Sequence, residues 1–184
     1  MPPDGPPAVG DEVELEPERF VAGGESLARS ADGRIVFVRG AVPGDRVLAS
    51  VIDARRDWSR ARLTSVTSAS PDRIVASCAA RRAGCGGCDW AEVADATRMT
   101  HKVGVVVEAL RRTARIDFDV VDGGSVSRTG YRTTMRVIGD EEGKPSLRME
   151  SSNTAVPIAG CEVAHPRLVE LLDEMRLTPG LEAT

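Results

Sequence analysis

The chain has 184 residues, a formal net charge of −4, 41% hydrophobic residues and only 3% aromatic ones. That length allows one ordinary domain or two small ones, with a core built from Val, Leu, Ile, Ala and Met. No apolar run reaches the length of a membrane span, and the start (Met1-Pro2-Pro3-Asp4-Gly5-Pro6-Pro7) lacks the basic and apolar regions of a signal peptide, so a cytoplasmic chain without membrane contact is expected.

Residues 1–9 read as a short disordered lead. Residues 10–69 read as five short strands separated by turns. Val13 and Leu15 alternate with Glu12, Glu14 and Glu16, and Gly23-Gly24 marks a turn or bulge. Arg34-Ile35-Val36-Phe37-Val38 is a β-rich run, and Val42-Pro43-Gly44-Asp45 is a strong turn signal. Next come residues 46–52, with Val47, Ala49 and Val51 on one face, and then 58–66. Five strands at this spacing predict a small closed barrel of the OB type. Ser70-Pro71-Asp72 is read as a linker, and 78–88 as a Gly-rich loop.

Residues 90–112 predict a helix with Met99, Val103, Val106 and Leu110 on one apolar face. Gly104 weakens it by about 1 kcal/mol relative to Ala. From Gly130 the period changes to two: Tyr131, Thr133, Met135 and Val137 predict a strand, with returning strands over 146–150 and 154–158. Pro166 opens a last helix whose apolar side is Leu168, Leu171, Leu172 and Met175. The final residues, 177–184, read as a Pro-Gly turn and the entry to another element, so residues 70–184 are expected to be a small α+β domain that is incomplete at its C-terminal end.

Charge is unevenly spread. Residues 1–45 hold nine acids against four Arg, and residues 46–82 hold eight Arg against three Asp. Arg55, Arg56, Arg60 and Arg62 flank Trp58 between the last two barrel strands, a pattern in which basic groups meet phosphate and an indole stacks on an unpaired base. Arg132, sharing a strand face with Arg136, extends that track or pairs with acids. Arg81 and Arg82 lie between Cys78 and Cys85, where they either touch nucleic acid or offset thiolate charge. His101 and His165 are isolated by spacing and carry no assigned role.

All four cysteines are Cys78, Cys85, Cys88 and Cys161, a C-x6-C-x2-C group with a distant fourth member. In a reducing compartment, such a set points to metal before disulfide. Four thiolates suit structural zinc and a [4Fe–4S] cluster equally, and spacing does not separate the two, or exclude a disulfide or free thiols.

Three segments carry a resemblance: 32–45 (DGRIVFVRGAVPGD), Cys85-Gly86-Gly87-Cys88-Asp89-Trp90 with the helix after it, and Tyr131-Arg132 through Ile158-Ala159-Gly160-Cys161. In this order the chain resembles the bacterial RNA (uracil-5-)methyltransferases of tRNA or 23S rRNA. The resemblance implies a β-rich α+β protein: an OB-like five-stranded TRAM barrel at 10–69 that binds RNA, then an iron–sulfur α+β domain at 70–184. It implies that Cys78, Cys85, Cys88 and Cys161 hold a [4Fe–4S] cluster, with zinc as the alternative. The first cysteine gap is one residue longer than the commonest family spacing. The radical methylthiotransferases also join TRAM to a cluster, but they leave one iron open, and here a fourth cysteine is available.

In that family the nucleophilic cysteine, the base and the S-adenosylmethionine pocket lie in a later Rossmann-like domain. This sequence has no Gly-rich strand–turn–helix fingerprint, so no catalytic or cofactor-binding residue is assigned. The expected function is the RNA- and cluster-binding part of an S-adenosylmethionine-dependent enzyme, monomeric, with rRNA or tRNA and not DNA as partner. The alternatives are a stand-alone RNA-binding protein with a structural metal, and a small electron-transfer protein.

Overall fold

The structure, a computed structural model, describes residues 7–180 and 182–183. Contacts divide the chain into two compact units: Met1–Val75 with Glu92–Gly123, and Ala76–Ala91 with Gly124–Thr184. The sequence-based boundary at residue 70 is a single cut, whereas the two units interleave along the chain.

The first unit is a six-stranded sheet of β1 (Glu12–Leu15), β2 (Arg19–Phe20), β3 (Ser26–Arg29), β4 (Ile35–Arg39), β5 (Arg46–Ala54) and β6 (Trp58–Ser68). Their order is β1-β5-β6-β4-β3-β2. Every neighbouring pair is antiparallel except β4 and β6, which run parallel with Ile35 opposite Trp58 and Arg39 opposite Arg62. The expected closed five-stranded barrel is therefore corrected: the Gly23-Gly24 turn creates an extra hairpin, and the hydrogen-bonded order has two ends, β1 and β2.

Those ends are nevertheless close. Leu15 and Arg19 are four residues apart and so at most about 14 Å from each other, whereas six strands lying flat would hold their outer members about 24 Å apart. The sheet must curl on itself, and its inside is lined by small and β-branched residues. Leu15, Ala28, Val36, Val38, Ala41, Val47, Ala49, Val51 and Ala61 form this core, with no aromatic ring among them. The alternation read from β4 holds: Val36 and Val38 point in, and Ile35, Phe37 and Arg39 point out.

The 42–45 turn is closed by Asp45 N–H donating to the Val42 carbonyl (3.0 Å). The Asp45 carboxylate is fully buried and accepts from the Val42 N–H (2.7 Å), the Ser70 N–H (2.9 Å) and Arg73 (2.7–3.0 Å). Arg73 also donates to the Gly40 carbonyl at 2.7 Å. The segment read as a linker is thus anchored to the sheet by a paired, hydrogen-bonded charge.

Residues 72–74 then pair with 92–94: Ile74 N–H to the Glu92 carbonyl and Ala94 N–H to the Asp72 carbonyl are both 2.8 Å. Residues 76–91 are an excursion whose two feet meet at this bridge. The next helix, α2 (Asp95–Ala109), belongs to the first unit, α1 being a single earlier turn at Ala79–Arg82. The helix is shorter than the sequence suggests and ends in a π turn over Leu110–Ala114. Its contacts are Glu108 with Arg19 (3.1 Å), His101 with Asp72 (2.9 Å) and the His101 ring edge-on to Phe20 (5.0 Å). The Met99-Val103-Val106-Leu110 face is not a core: no residue of α2 is buried, and Val106 is 46% exposed. Arg19 and Phe20 of β2 and Asp72, rather than helical periodicity, select the packed face.

The second unit has an antiparallel sheet of order β10-β7-β8-β9, from β7 (Val137–Gly139), β8 (Pro145–Arg148), β9 (Ala155–Pro157) and β10 (Glu182–Ala183), with α3 (Pro166–Glu174). Pro166 starts α3 as expected, and His165 caps it by accepting from the Arg167 N–H. Leu172 is buried, and Leu168 and Met175 pack on the core of Met135, Val137, Ile158 and Ala164; Leu171 is exposed. The predicted strand from Tyr131 is mostly absent. Arg132 N–H instead bonds the Val163 carbonyl, and His165 N–H the Arg132 carbonyl, so residues 130–132 pair with a loop and β7 begins only at Val137. Of the tail, Glu182 and Ala183 pair with β7, while Leu181 and Thr184 lie outside the described residues. Of the expected disordered lead, residues 1–6 lie outside them too, and Ala8 N–H is tied to the Asp11 carboxylate at 2.8 Å. Among the described residues, no helix is long and apolar enough to cross a membrane.

Candidate metal centre and nucleic-acid face

Cys78 sits at the start of α1, and Arg82 N–H returns to its carbonyl at 3.2 Å. The chain then turns sharply, Cys85 N–H bonding the Ala80 carbonyl at 2.9 Å. Residues 84–86 extend the end of β8: Cys85 bridges Met149, Gly86 N–H bonds the Arg148 carbonyl, and Glu150 N–H the Gly84 carbonyl. Cys161 lies in the turn after β9, its N–H bonded to the Ile158 carbonyl. Four cysteines from three places in the chain thereby line one small, open cavity, with Leu147, Ile158 and Val163 as apolar wall.

The two glycines of the Cys-x-x-Cys turn sit in close quarters that a side chain would crowd. A Cβ on Gly86 would lie 3.1 Å from the Glu150 Cα, and one on Gly87 would lie 3.1 Å from a Leu147 methyl and 3.4 Å from the Cys85 sulfur. The Gly87 N–H donates to that sulfur at 3.4 Å.

All four cysteines are free thiols. Burial pushes the Cys85 thiol up from its ordinary value; the Gly87 N–H opposes this, and the neighbouring Cys161 and Cys78 thiols add to it. Burial likewise raises Cys88, with Arg132 pulling the other way and Cys161, Cys85 and Cys78 raising it further. The sulfurs thus lie close enough to repel one another as thiolates. Among the described residues, however, no three His, Cys, Asp or Glu side chains converge tightly enough to hold one metal ion. A single zinc at about 2.3 Å from each sulfur would need the sulfurs within about 4 Å of one another. The donor set itself, soft thiols with no carboxylate or imidazole lining the cavity, is that of a thiolate-held zinc or iron–sulfur centre.

The candidate RNA-contact residues separate into two groups. On the outside of the first sheet, Trp58, Arg60 and Arg62 alternate with the buried Ser59 and Ala61 of β6. The Trp58 ring lies edge-on to Phe37 at 5.9 Å, and the Arg60 guanidinium sits 5.0 Å from the Trp58 ring and 5.8 Å from the Phe37 ring. Arg60 is also held by Glu25 at 3.1 Å. Arg55 and Arg56 occupy the exposed β5–β6 turn, Arg55 paired with Asp53 at 3.0 Å. Arg132 belongs to the second unit, where it lines the thiol cavity and donates to the Gly87 carbonyl at 3.2 Å.

Sequence reasoning missed Phe37 as part of the aromatic pair. Its outward place in the Val36-Phe37-Val38 alternation signals it, once β4 is known to lie beside β6. The adjacent Arg81 and Arg82 also differ. Arg81 lines the cavity, while Arg82 donates to the carbonyls of Ala76 (2.8 Å) and Ser77 (2.6 Å).

A scan against models of protein families finds no match. Among curated proteins the chain is 35% identical over 182 residues to an uncharacterized RNA methyltransferase of Corynebacterium glutamicum, covering 95% of this chain and 43% of that protein. It is 32% identical to another from Streptomyces coelicolor, covering 94% of this chain and 41% of the relative. A 23S rRNA (uracil(1939)-C(5))-methyltransferase of Halomonas elongata is 34% identical over 159 residues, with 83% of this chain and 32% of the relative covered. The chain thus spans less than half the length of these relatives. Among solved structures, the fold is shared with the Pyrococcus abyssi tRNA (uracil-54, C5)-methyltransferase crystallised with S-adenosyl-L-homocysteine, at TM-score 0.56 and 17% identity, covering 86% of this chain and 35% of that one.

Proposed function

Because the chain belongs by sequence to the RNA methyltransferase family, over a portion of its relatives' length, we propose that it forms the RNA-presenting part of an S-adenosylmethionine-dependent RNA (uracil-C5) methyltransferase acting on rRNA or tRNA. In this reading the first unit is a TRAM-type module and the second an iron–sulfur module. The observation that carries it is the shared cavity of Cys78, Cys85, Cys88 and Cys161. Four soft thiols, with no carboxylate or imidazole among the lining residues, are a donor set that suits an iron–sulfur cluster, with zinc as the alternative. Such a centre would be held by Cys78, Cys85, Cys88 and Cys161 and would cross-link them; the four thiols would then serve as ligands rather than as nucleophiles.

This chain's own residues would bind and orient RNA. The outer face of β4 and β6 offers the Phe37–Trp58 pair for stacking on an unpaired base, with Arg60 over both rings and the exposed Arg56 and Arg62 for phosphate. Methyl transfer, which needs a cofactor pocket, a nucleophile and a base, belongs to a further domain, and the 184 residues by themselves are expected to be inactive.

The test is anaerobic purification followed by iron, sulfide and zinc analysis and a visible spectrum. A brown protein with iron and sulfide supports the cluster, and a colourless protein with zinc assigns the site to a mononuclear metal. A chain that binds neither, with all four thiols freely alkylated, sinks the metal reading. Titration with a fluorescent uridine-containing single strand tests RNA binding separately.

A further inference from the structure

Among the residues lining the cysteine cavity, only Arg81 and Arg132 carry a fixed charge. Both are directed there by hydrogen bonds to the cysteine loop itself. Arg81 donates to the Cys85 carbonyl (3.2 Å), and Arg132 to the Gly87 carbonyl (3.2 Å). The Arg81 side chain is only 8% exposed and is shared with Glu150 at 3.3 Å. Arg132 is half-buried, and no carboxylate of the described residues lies within ion-pair distance of it. A half-withdrawn cation beside Leu147, Ile158 and Val163 is unfavourable unless an anion faces it.

The centre would supply that anion. Four thiolates on one divalent zinc, or on a cluster of the same charge, leave a net charge of about −2. We propose that Arg81 and Arg132 are positioning residues that hold the four-thiolate centre as its counter-charges, and that Arg132 is not an RNA contact. This rests on the metal reading above but holds for either metal, because the charge to be balanced is the same. It also separates two sequence neighbours: Arg81 serves the centre, while Arg82, bonded to the Ala76 and Ser77 carbonyls, serves the backbone before Cys78.

The experiment follows metal release from the purified, loaded chain into excess chelator, by absorbance and metal analysis. Arg132→Gln keeps a donor for the Gly87 carbonyl but loses the charge, and Arg132→Lys keeps the charge. Groups that orient or charge-balance metal ligands typically change affinity by tenfold or more, so R132Q is expected to lose metal about tenfold faster, with R132K close to the parent chain. Arg81→Gln reads the same property through an independent residue if R132Q does not fold, as judged by its thermal melt. Arg136→Gln, on an exposed pair with Glu182, is the control for losing any charge from this unit and should release metal at the parent rate. Equal release from R132Q, R81Q and the parent overturns the proposal. So does equal acceleration in R132Q and R132K, which would assign Arg132 to packing, or weaker RNA binding by R132Q with metal release unchanged. A parent chain that never loads metal defeats the underlying reading instead.

Discussion

In the first unit nine aliphatic residues, none more than 4% exposed, fill the inside of a sheet whose strands reach nine residues in β5 and eleven in β6. In the second, five residues at 3–8% exposure back strands of two to four residues. The first has the packing of a self-sufficient small domain. The second has less buried apolar surface, and its loop 76–91 is tied to β8 through a few backbone bonds, with three of its cysteines facing the same cavity as Cys161. On the proposed metal reading, the two halves draw stability from different sources: burial in one, and in the other a thiolate centre that would link residues distant in sequence.

The largest effect that could break this contrast comes from Cys161→Ser. It should abolish metal content and lower the melting of the second unit, while hydrogen exchange in β4 and β5 stays as protected as before. Loss of protection in both units would show a single cooperative structure. Next is Asp45→Ala, which strands Arg73 and two backbone donors and should cost roughly 3–5 kcal/mol in urea unfolding. Under native conditions its metal content should equal that of the parent chain.

Smaller, and confined to the sheet's outer face, is the Trp58→Ala, Arg56→Ala double change. It should weaken single-stranded RNA binding about tenfold and flatten its salt dependence, without bleaching the centre. An unchanged affinity would move the RNA site off this face. The smallest effect is on pH. Cys85 and Cys88 are held protonated by burial, so the unfolded thiols ionise first as pH rises. The metal-free second unit should keep constant stability below the ordinary thiol range and lose it as pH climbs through that range. Urea melts at neutral and alkaline pH check this, and a metal-loaded sample should lack the decline.

Much of the fold was legible locally. The alternation in residues 34–38 and 46–52, the 42–45 turn and the Pro166 helix start all follow from side-chain period and turn chemistry, and the structure keeps them. What misled was non-local. The periodicity of Met99, Val103, Val106 and Leu110 marks a helix but does not say which face packs; Phe20, Asp72 and Arg19 decided that. The alternation after Gly130 looked like a strand, yet residue 132 found its partner in the 162–165 loop. Charge grouped Arg132 with Arg56 and Arg60, and the fold put it in a different unit.

By itself, then, the sequence determined the strand-rich character, the turns and which four side chains have the chemistry to bind a soft metal. Tertiary structure alone decided that β4 lies parallel to β6, that Cys161 faces the same cavity as Cys78, Cys85 and Cys88, and that Arg132 faces thiols. The reason is physical. Period and turn propensity act over a few residues, while the pairing of residue 35 with 58, or of 85 with 149, depends on chain closure and burial that no local window contains.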